Sequence, residues 1–243
     1  MRAALYYGRE DLRLTQVPEP EPGPGEVKLR VLYNGICGSD LLEYYDGPVT
    51  TRSTPHPLTG VQNPVIMGHE LCGEVVALGA GVHDFMIGSL VAVEPVETCG
   101  RCLYCRLGQY NHCPSLAIQG YNRAGGLAEY TVVKQRQGHP LPPGVSALQG
   151  ALIEPLAIAW HTANRCAVSA GQVVAIHGAG PIGAGQMVRQ LDHVADMGLI
   201  LDRGAVVVPQ VAEFRIVAVI DQDERRAGLD QAASEQAALA DLG

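Results

Sequence analysis

Short runs of alternating apolar and polar residues recur along the first part of the chain. Gly and Pro separate the runs at 27–32 (VKLRVL), 73–79 (GEVVALG), 89–96 (SLVAVEPV) and 127–133 (LAEYTVV). Many short strands divided by turn residues are typical of a β-barrel or a β-sandwich. The pattern therefore predicts a barrel-like β domain over residues 1–150.

An alternation of helical and strand-like segments replaces this pattern in residues 151–243. The Ala- and Leu-rich segment 151–167 predicts a helix. Residues 172–183 (QVVAIHGAGPIG) predict a buried strand, a tight glycine turn and the start of a helix. A further strand is predicted at 215–221 (RIVAVID) and a further helix at 223–242. We therefore expect a mixed α/β protein whose second domain is a partial βαβ domain.

Composition and charge narrow the range of partners. The chain has 17 Lys and Arg against 25 Asp and Glu, a formal net charge of −8, which argues against nucleic acid as a partner. No apolar run reaches the roughly 18 residues that span a bilayer. The first ten residues (MRAALYYGRE) lack the apolar stretch of a signal peptide. We therefore expect a soluble, cytoplasmic protein without a membrane partner.

Four of the seven cysteines lie close together, in the spacing C-x2-C-x2-C-x7-C: Cys99, Cys102, Cys105 and Cys113. This crowding favours metal binding in a reducing compartment over a set of disulfides. Four thiolates can form the tetrahedral sulfur shell that suits Zn²⁺, and a shell filled by protein ligands is structural. Free thiols and an iron–sulfur cluster are the alternatives, since Pro114 follows the last cysteine as in some iron–sulfur motifs.

A second set of candidate metal ligands is spread along the chain: Cys37 in GICGSD, His69 and Glu70 in MGHE, and Glu154 in IEP. Each residue alone is a weak signal, because a lone Cys or His is more often structural. Glycines next to the first three let the backbone approach a metal closely and leave a coordination position open. Zn²⁺ among such ligands would polarise an alcohol oxygen and lower its pKa.

The segment GAGPIG has the pattern G-x-G-x-x-G between a predicted strand and a predicted helix. Its candidate cofactor-binding residues are Gly178, Gly180, Pro181, Ile182 and Gly183. Glycines in this position allow a tight turn and a close approach of a dinucleotide pyrophosphate to the start of the helix. The motif therefore predicts a dinucleotide-binding site.

An acidic residue that binds the ribose is expected about 20 residues after this motif. Asp221 ends the predicted strand 215–221 and is chemically suitable, because a carboxylate would repel the 2′-phosphate of NADP and so favours NAD. Its distance from Gly183 is 221 − 183 = 38 residues. The surplus falls in residues 191–214, which are either a surface insertion or an artefact of the coding sequence.

Several segments in order along the chain resemble the zinc-dependent medium-chain alcohol and polyol dehydrogenases. They are GICGSD, PVIMGHELCGEVVALGAGV, VAVEPVETCGRCLYCRLGQYNHC, GGLAEY, IEPLAIAWH and GAGPIG. GSDLLEYYDGP and PHPLTG are similar to the 2,3-butanediol dehydrogenase and sorbitol dehydrogenase branch. The resemblance is continuous over residues 1–190. It implies an N-terminal GroES-like, β-barrel-type catalytic domain (1–150) followed by a partial Rossmann domain (151–243).

The resemblance also implies roles for single residues. Cys37, His69 and Glu70 would hold a catalytic zinc, with Glu154 as a further ligand or bound through water. The four clustered cysteines would hold a structural zinc. Ser39 matches the family hydroxyl that accepts the substrate proton. The family usually has His where this chain has Leu42, so the proton would leave by another route, such as water on Glu154.

The activity implied is the oxidation of a secondary alcohol, a vicinal diol or a polyol, to a ketone, with hydride transfer to NAD. Another small alcohol, such as threonine, is an alternative substrate. Residues 191–214 do not resemble the family, and the pattern ends before the later strands of a full cofactor domain, so we expect a C-terminally truncated chain. A zinc-binding remnant without activity is therefore the competing hypothesis. A homo-oligomer would lack its usual interface region.

Overall fold

The computed structural model describes residues 1–167, 173–177, 180–185, 200–202, 205–207 and 215–219. The chain divides into two compact units, Met1–Glu154 and Pro155–Gly243. Both groups of candidate metal ligands lie in the first unit. The domain boundary between residues 150 and 151 stays a prediction.

Short β-strands form most of the first unit, as the alternating pattern predicts. The strands are β1 (Arg2–Gly8), β2 (Asp11–Gln16), β3 (Glu26–Gly35), β4 (Val65–Ile66), β5 (Glu70–Leu78), β6 (Leu90–Val93), β7 (Val96–Glu97), β8 (Ala117–Ile118), β9 (Tyr130–Lys134) and β10 (Gly138–Pro140). The helices are α1 (Gly38–Asp46), α2 (Leu103–Arg106) and α3 (Ala147–Ala151), with 3₁₀ turns at Tyr110–His112 and Gln135–Gln137. The predicted β-rich first domain is thus confirmed.

The largest sheet has five antiparallel strands in the order β10-β6-β5-β3-β9. Alternate residues of these strands face one apolar core, as the two-residue period of a strand requires. The core consists of Val27, Leu29, Leu71, Val75, Val82, Phe85, Val91, Val93 and Val133. The central pair of the sheet, β3 and β5, runs from Val27 opposite Leu78 to Gly35 opposite Glu70, with register shifts between Lys28 and Leu29 and between Val31 and Tyr33. The core therefore sets which residues meet at the end of this pair.

Helix α1 is attached to the rest of the unit by a tyrosine and a carboxylate. Tyr6 on β1 is fully buried, and its hydroxyl donates a hydrogen bond of 2.6 Å to the backbone oxygen of Glu43. The buried carboxylate of Glu43 accepts the backbone N–H groups of Val49, Thr50 and Thr51 at 3.0, 2.8 and 3.1 Å. One residue thus connects the helix to the loop that follows it.

Helix α4 (Ile153–Arg165) has its first two residues in the first unit and the rest in the second unit. The second unit also contains four strands, β11 (Val173–His177), β12 (Ile200–Asp202), β13 (Ala205–Val207) and β14 (Arg215–Val219). Strands β11 and β14 are parallel, as a βαβ arrangement requires. The antiparallel strands β13 and β12 extend this sheet beyond β14. The sequence pattern does not predict these two strands, which lie within 191–214. The helix predicted at 223–242 lies outside the described residues.

Two predicted elements differ in detail from those observed. The run 89–96 contains two strands, β6 and β7, because Pro95 between them cannot donate a backbone hydrogen bond. The helix predicted at 151–167 is interrupted at Leu152, where α3 has ended and α4 has not begun. Within the described part of the chain, no helix has the length and apolar character needed to cross a membrane.

Candidate functional site

The end of strand β3 and the start of strand β5 bring three candidate ligands together. Because these strands are antiparallel, the last residue of β3, Gly35, lies opposite the first residue of β5, Glu70. Cys37 follows β3 as the N-cap of α1, and His69 precedes β5. The ligand atoms of Cys37, His69 and Glu70 all lie within 4.8 Å of one another. We call these three residues the first cluster.

Two glycines make room for the first cluster. A Cβ at Gly35 would overlap Oε2 of Glu70, so the carboxylate occupies the space above a residue that has no side chain. Gly68 has φ +96°, a conformation that favours glycine, and a Cβ there would lie 2.7 Å from the amide of Asn34. The glycines predicted to permit close approach therefore have a direct steric role at these positions.

His69 is 5% exposed and has a polar group near each ring nitrogen. Its Nδ1 lies 3.4 Å from Oδ1 of Asp40, and its Nε2 lies 3.5 Å from Oγ of Ser39. Nδ1 is buried without a well-formed hydrogen bond. Burial disfavours the charged ring, but Asp40 and Cys37 outweigh it and raise the pKa of His69 to about 10. A metal bound by the ring would have to displace this proton.

Asp40 connects three parts of the site. Its Oδ2 accepts the backbone N–H of Cys37 at 3.0 Å, which caps the start of α1. Its Oδ1 accepts the hydroxyl of Tyr121 at 3.0 Å and faces His69. Sequence reasoning assigned no role to Asp40, although an acidic residue in the first turn of a helix is a recognisable capping signal.

Tyr121 is the residue of this site that sequence reasoning missed altogether. It is 4% exposed, and its hydroxyl lies 2.9 Å from Oγ of Ser39 as well as 3.0 Å from Asp40. Its ring centroid is 5.1 Å from that of His69. Burial, supported by the negative charge of Asp40, raises the pKa of Tyr121 well above its ordinary value, so the phenol keeps its proton. No local pattern in the loop around Tyr121 indicates this position.

Glu154 lies outside the first cluster. It is half-buried in the first turn of α4, and its carboxylate is not among the three gathered ligand groups. Burial raises the pKa of Glu154. The positive charge of His69 lowers this pKa, and the negative charges of Glu70 and Asp40 raise it further. Glu154 is therefore close enough to feel the charges of the site. Leu42, at the position where the family usually has a histidine, lies on α1, and 49% of it is exposed to solvent.

The four clustered cysteines form the second cluster, with ligand atoms that also lie within 4.8 Å of one another. All four are free thiols. Sγ of Cys105 lies 3.4 Å from Sγ of Cys102 and 4.0 Å from Sγ of Cys99. Four bonds of about 2.3 Å to a tetrahedral Zn²⁺ require sulfur–sulfur distances of about 3.8 Å, so the spacing fits this ion.

Backbone groups prepare the second cluster for negative charge. The N–H of Cys105 donates to Sγ of Cys102 at 3.4 Å, and the N–H of Cys99 donates to Sγ of Cys113 at 3.5 Å. Backbone N–H groups of Arg101 and Cys102 lower the pKa of Cys99, whereas the neighbouring thiols of the cluster raise the pKa of Cys102. Such donors stabilise the thiolates that a metal requires.

The described part of the glycine motif has the predicted order of elements. Strand β11 ends at His177, Gly180 is an exposed bend, and residues 181–185 are helical. The backbone N–H of Ala184 donates to the oxygen of Gly180 at 2.9 Å, which begins this helix. Pro181, Ile182 and Gly183 lie in its first turn. Gly178 and Asp221 lie outside the described residues, so their cofactor roles stay predictions.

Comparison with known proteins points to one family. Residues 23–143 match the family model described as "Alcohol dehydrogenase GroES-like domain". The chain is 40% identical over 185 residues to (R,R)-butanediol dehydrogenase of Bacillus subtilis, an alignment that covers 75% of this chain and 52% of that protein. It is 36% identical over 184 residues to sorbitol dehydrogenase of the same organism, covering 75% of this chain and 50% of that protein.

Solved structures show the same similarity in three dimensions. The crystal structure of 2R,3R-butanediol dehydrogenase from B. subtilis has a TM-score of 0.72 at 39% identity, covering 80% of this chain and 55% of that chain. A short chain alcohol dehydrogenase from E. coli CFT073, complexed with NADH, has a TM-score of 0.73 at 27% identity, covering 95% of this chain and 66% of that chain. The chain spans about half the length of the curated relatives it matches.

Proposed function

Because residues 23–143 belong to the GroES-like domain family of alcohol dehydrogenases, and the chain is a relative of the zinc-dependent alcohol and polyol dehydrogenases, we propose that it oxidises a secondary alcohol to a ketone. The substrate is a vicinal diol or a polyol, and the hydride acceptor is NAD. The observation that carries this proposal is the first cluster, in which a thiol, an imidazole and a carboxylate meet at one corner of the sheet.

Cys37, His69 and Glu70 would hold the catalytic zinc. Three features support the fit: the mutual distances of the ligand atoms, the space that Gly35 leaves for the carboxylate, and the buried Nδ1 of His69 beside Asp40. A carboxylate at Nδ1 is the usual outer partner of a metal-binding histidine, and it leaves Nε2 for the metal. When bound there, zinc supplies a Lewis acid that lowers the pKa of an alcohol hydroxyl.

The protein groups around this cluster bind and orient the substrate hydroxyl. Ser39 is the second residue of α1, two residues after Cys37, and its Oγ lies 3.5 Å from Nε2 of His69. This position suits Ser39 to accept the hydrogen bond of the reacting hydroxyl. Glu154, half-buried near the same charges, is proposed as a further ligand or a water-mediated one.

The second cluster would hold a structural zinc. Its sulfur–sulfur distances of 3.4 and 4.0 Å support a single ion bound by all four thiolates. An iron–sulfur cluster distributes its cysteines over several iron atoms, which would hold the sulfurs further apart. With every coordination position taken by protein, an ion held there would stabilise the loop between β7 and β8 and would take no part in the chemistry.

The glycine motif is proposed to bind the pyrophosphate of the cofactor. Gly178, Gly180 and Gly183 would form the close turn, and Pro181 and Ile182 would lie beside it at the start of the helix. Asp221 would bind the ribose hydroxyls and so favour NAD. The NADH complex of the E. coli relative supports a nicotinamide cofactor.

The test is NADH formation by the purified, zinc-loaded chain, supplied with NAD⁺ and 2,3-butanediol, sorbitol or threonine in parallel. Turnover should vanish in Cys37→Ala. It should persist in Cys166→Ala, which removes an exposed thiol outside both clusters. The preferred alcohol identifies the substrate class. Absence of turnover with every alcohol in folded protein that carries both zinc ions would contradict the proposal.

A further inference from the structure

Three side chains next to the first cluster form one hydrogen-bonded chain. The hydroxyl of Tyr121 lies 2.9 Å from Oγ of Ser39 and 3.0 Å from Oδ1 of Asp40. Tyr121 and Asp40 are both buried. The resemblance to alcohol dehydrogenases assigns a role only to Ser39. Tyr121 and Asp40, the other two members of this hydrogen-bonded series, have no assigned function.

The chemistry of the three groups sets the direction of their hydrogen bonds. The phenol has one hydrogen to donate, and a carboxylate accepts it more strongly than a neutral hydroxyl does. Tyr121 therefore donates to Asp40 and accepts the hydrogen of Ser39. The lone pairs of Ser39 are then free to accept a hydrogen bond from a substrate hydroxyl.

His69 offers no alternative acceptor for the hydrogen of Ser39 once a metal is bound. Nε2 lies 3.5 Å from Oγ of Ser39, at the outer limit of a hydrogen bond. Nε2 is also the ring atom that the proposed metal would take. Of the two described side chains within hydrogen-bond distance of the Ser39 hydroxyl, Tyr121 is thus the acceptor that remains.

Tyr121 also restrains the carboxylate that faces His69. One oxygen of Asp40 is held by the backbone N–H of Cys37, and the other is held by Tyr121. That second oxygen is the one 3.4 Å from Nδ1 of His69. Loss of the phenol would leave one end of the carboxylate without its hydrogen-bond donor and free to turn away from the ring.

We propose that Tyr121 is a positioning residue with two effects: it holds Asp40 against the metal-binding histidine, and it orients Ser39 as an acceptor towards the substrate. The inference rests on the proposed function, because it assigns a metal to His69 and a substrate to Ser39. The two effects have separate readouts, one of which needs no turnover.

The first readout is the affinity of the first cluster for Co²⁺. It is measured from the visible absorption of the ion during competition with a chelator. The component lost in Cys37→Ala belongs to this cluster. Tyr121→Phe should weaken that component on the order of tenfold, the lower end of the effect of removing an outer partner of a metal ligand. In an Asp40→Asn background, the same substitution should add no further loss.

The matched control is Tyr6→Phe. Tyr6 is buried in the same apolar cluster as Tyr121, and its hydroxyl also makes a hydrogen bond to α1, but to the backbone of Glu43. Tyr6→Phe should leave the Co²⁺ affinity unchanged within about twofold. Wild-type Co²⁺ affinity in both variants would overturn the positioning role. An equal loss of affinity in both variants would overturn it as well.

The second readout is steady-state kinetics with the preferred alcohol. Tyr121→Phe should lower kcat about tenfold with little change in KM, because the oriented Ser39 acts on the reacting hydroxyl. This loss should disappear in a Ser39→Ala background, and a loss that persists there would overturn the effect on Ser39.

Failure of the proposed function can be distinguished from failure of this inference. If the wild-type chain shows no turnover, the Co²⁺ affinities decide whether Tyr121 positions the metal ligand. If Tyr121→Phe cannot be purified as folded protein, Asp40→Asn replaces it. It should weaken Co²⁺ binding by a similar factor, and wild-type affinity in Asp40→Asn would overturn the inference.

Discussion

Gly35 lies directly opposite Glu70 where β3 ends and β5 begins, and the carboxylate of Glu70 occupies the space that a side chain at position 35 would fill. The register of two core strands therefore determines the position of a candidate metal ligand. A one-residue slip of the pairing would turn Glu70 to the other face of the sheet. The packed apolar residues of β3 and β5 prevent such a slip.

Gly35→Ala should displace the carboxylate of Glu70 from the first cluster. We expect the Co²⁺ affinity of the Cys37-dependent component to fall at least about tenfold, because one ligand can no longer reach its place. Chelator competition measures this. Gly38→Ala is the control, since a Cβ at Gly38 meets nothing within 4 Å. Wild-type affinity in Gly35→Ala would show that Glu70 is not a ligand.

Cys105→Ser should remove the metal of the second cluster. We expect the zinc content to fall by about one equivalent per chain and the free energy of unfolding to fall by more than about 3 kcal/mol, because metal binding there is coupled to folding. Elemental analysis and urea unfolding measure the two effects. Cys166→Ser, at an exposed cysteine outside the cluster, should change neither. Full zinc content in Cys105→Ser would contradict the four-sulfur site.

Glu26 should make the stability of the first unit dependent on pH. Its carboxylate lies 2.7 Å from Nζ of Lys134, accepts the backbone N–H of Gly23 at 3.0 Å and pairs with Arg123. Burial disfavours its charge, but these donors outweigh burial and hold the pKa of Glu26 below its ordinary value of 4.5. The carboxylate therefore stabilises the fold above pH 4.5, and this contribution is lost as the pH falls through the lower folded-state pKa.

Glu26→Gln should accordingly lower the free energy of unfolding by about 1–3 kcal/mol at neutral pH. The difference from wild type should shrink towards zero in acid, where the wild-type carboxyl is also neutral. Urea unfolding at both pH values measures it, with the exposed Glu10→Gln as control. A difference that is the same at both pH values would rule out the charge of Glu26 as its cause.

Glu43→Gln should loosen the loop after α1. The carboxylate of Glu43 accepts three backbone N–H groups, whereas an amide presents hydrogens to some of them. We expect a loss of about 1–3 kcal/mol in the free energy of unfolding. Amide hydrogen exchange of Thr50 and Thr51 should become faster than in Glu10→Gln. Unchanged exchange would show that the carboxylate does not hold this loop.

Much of the first unit follows from local pattern. The runs 27–32, 73–79 and 127–133 overlap β3, β5 and β9, because alternation of apolar residues has the period of a strand and one face of each strand lies on the core. The four-cysteine spacing likewise predicts the second cluster, since its ligands are close in sequence. The strands β12 and β13 were not predicted, because nothing in 191–214 has a clear alternating pattern.

By itself, the sequence determined the ligand types, the glycines beside them, and the family to which these motifs belong. The tertiary structure decided which side chains meet: it gathered Cys37, His69 and Glu70, placed Glu154 near them but outside their cluster, and brought Tyr121 to Ser39 across 82 residues of chain. The physical reason is that periodicity and spacing describe neighbours along one element. Hydrogen bonds between distant loops depend on strand register and on the attachment of α1 to β1 through Tyr6 and Glu43.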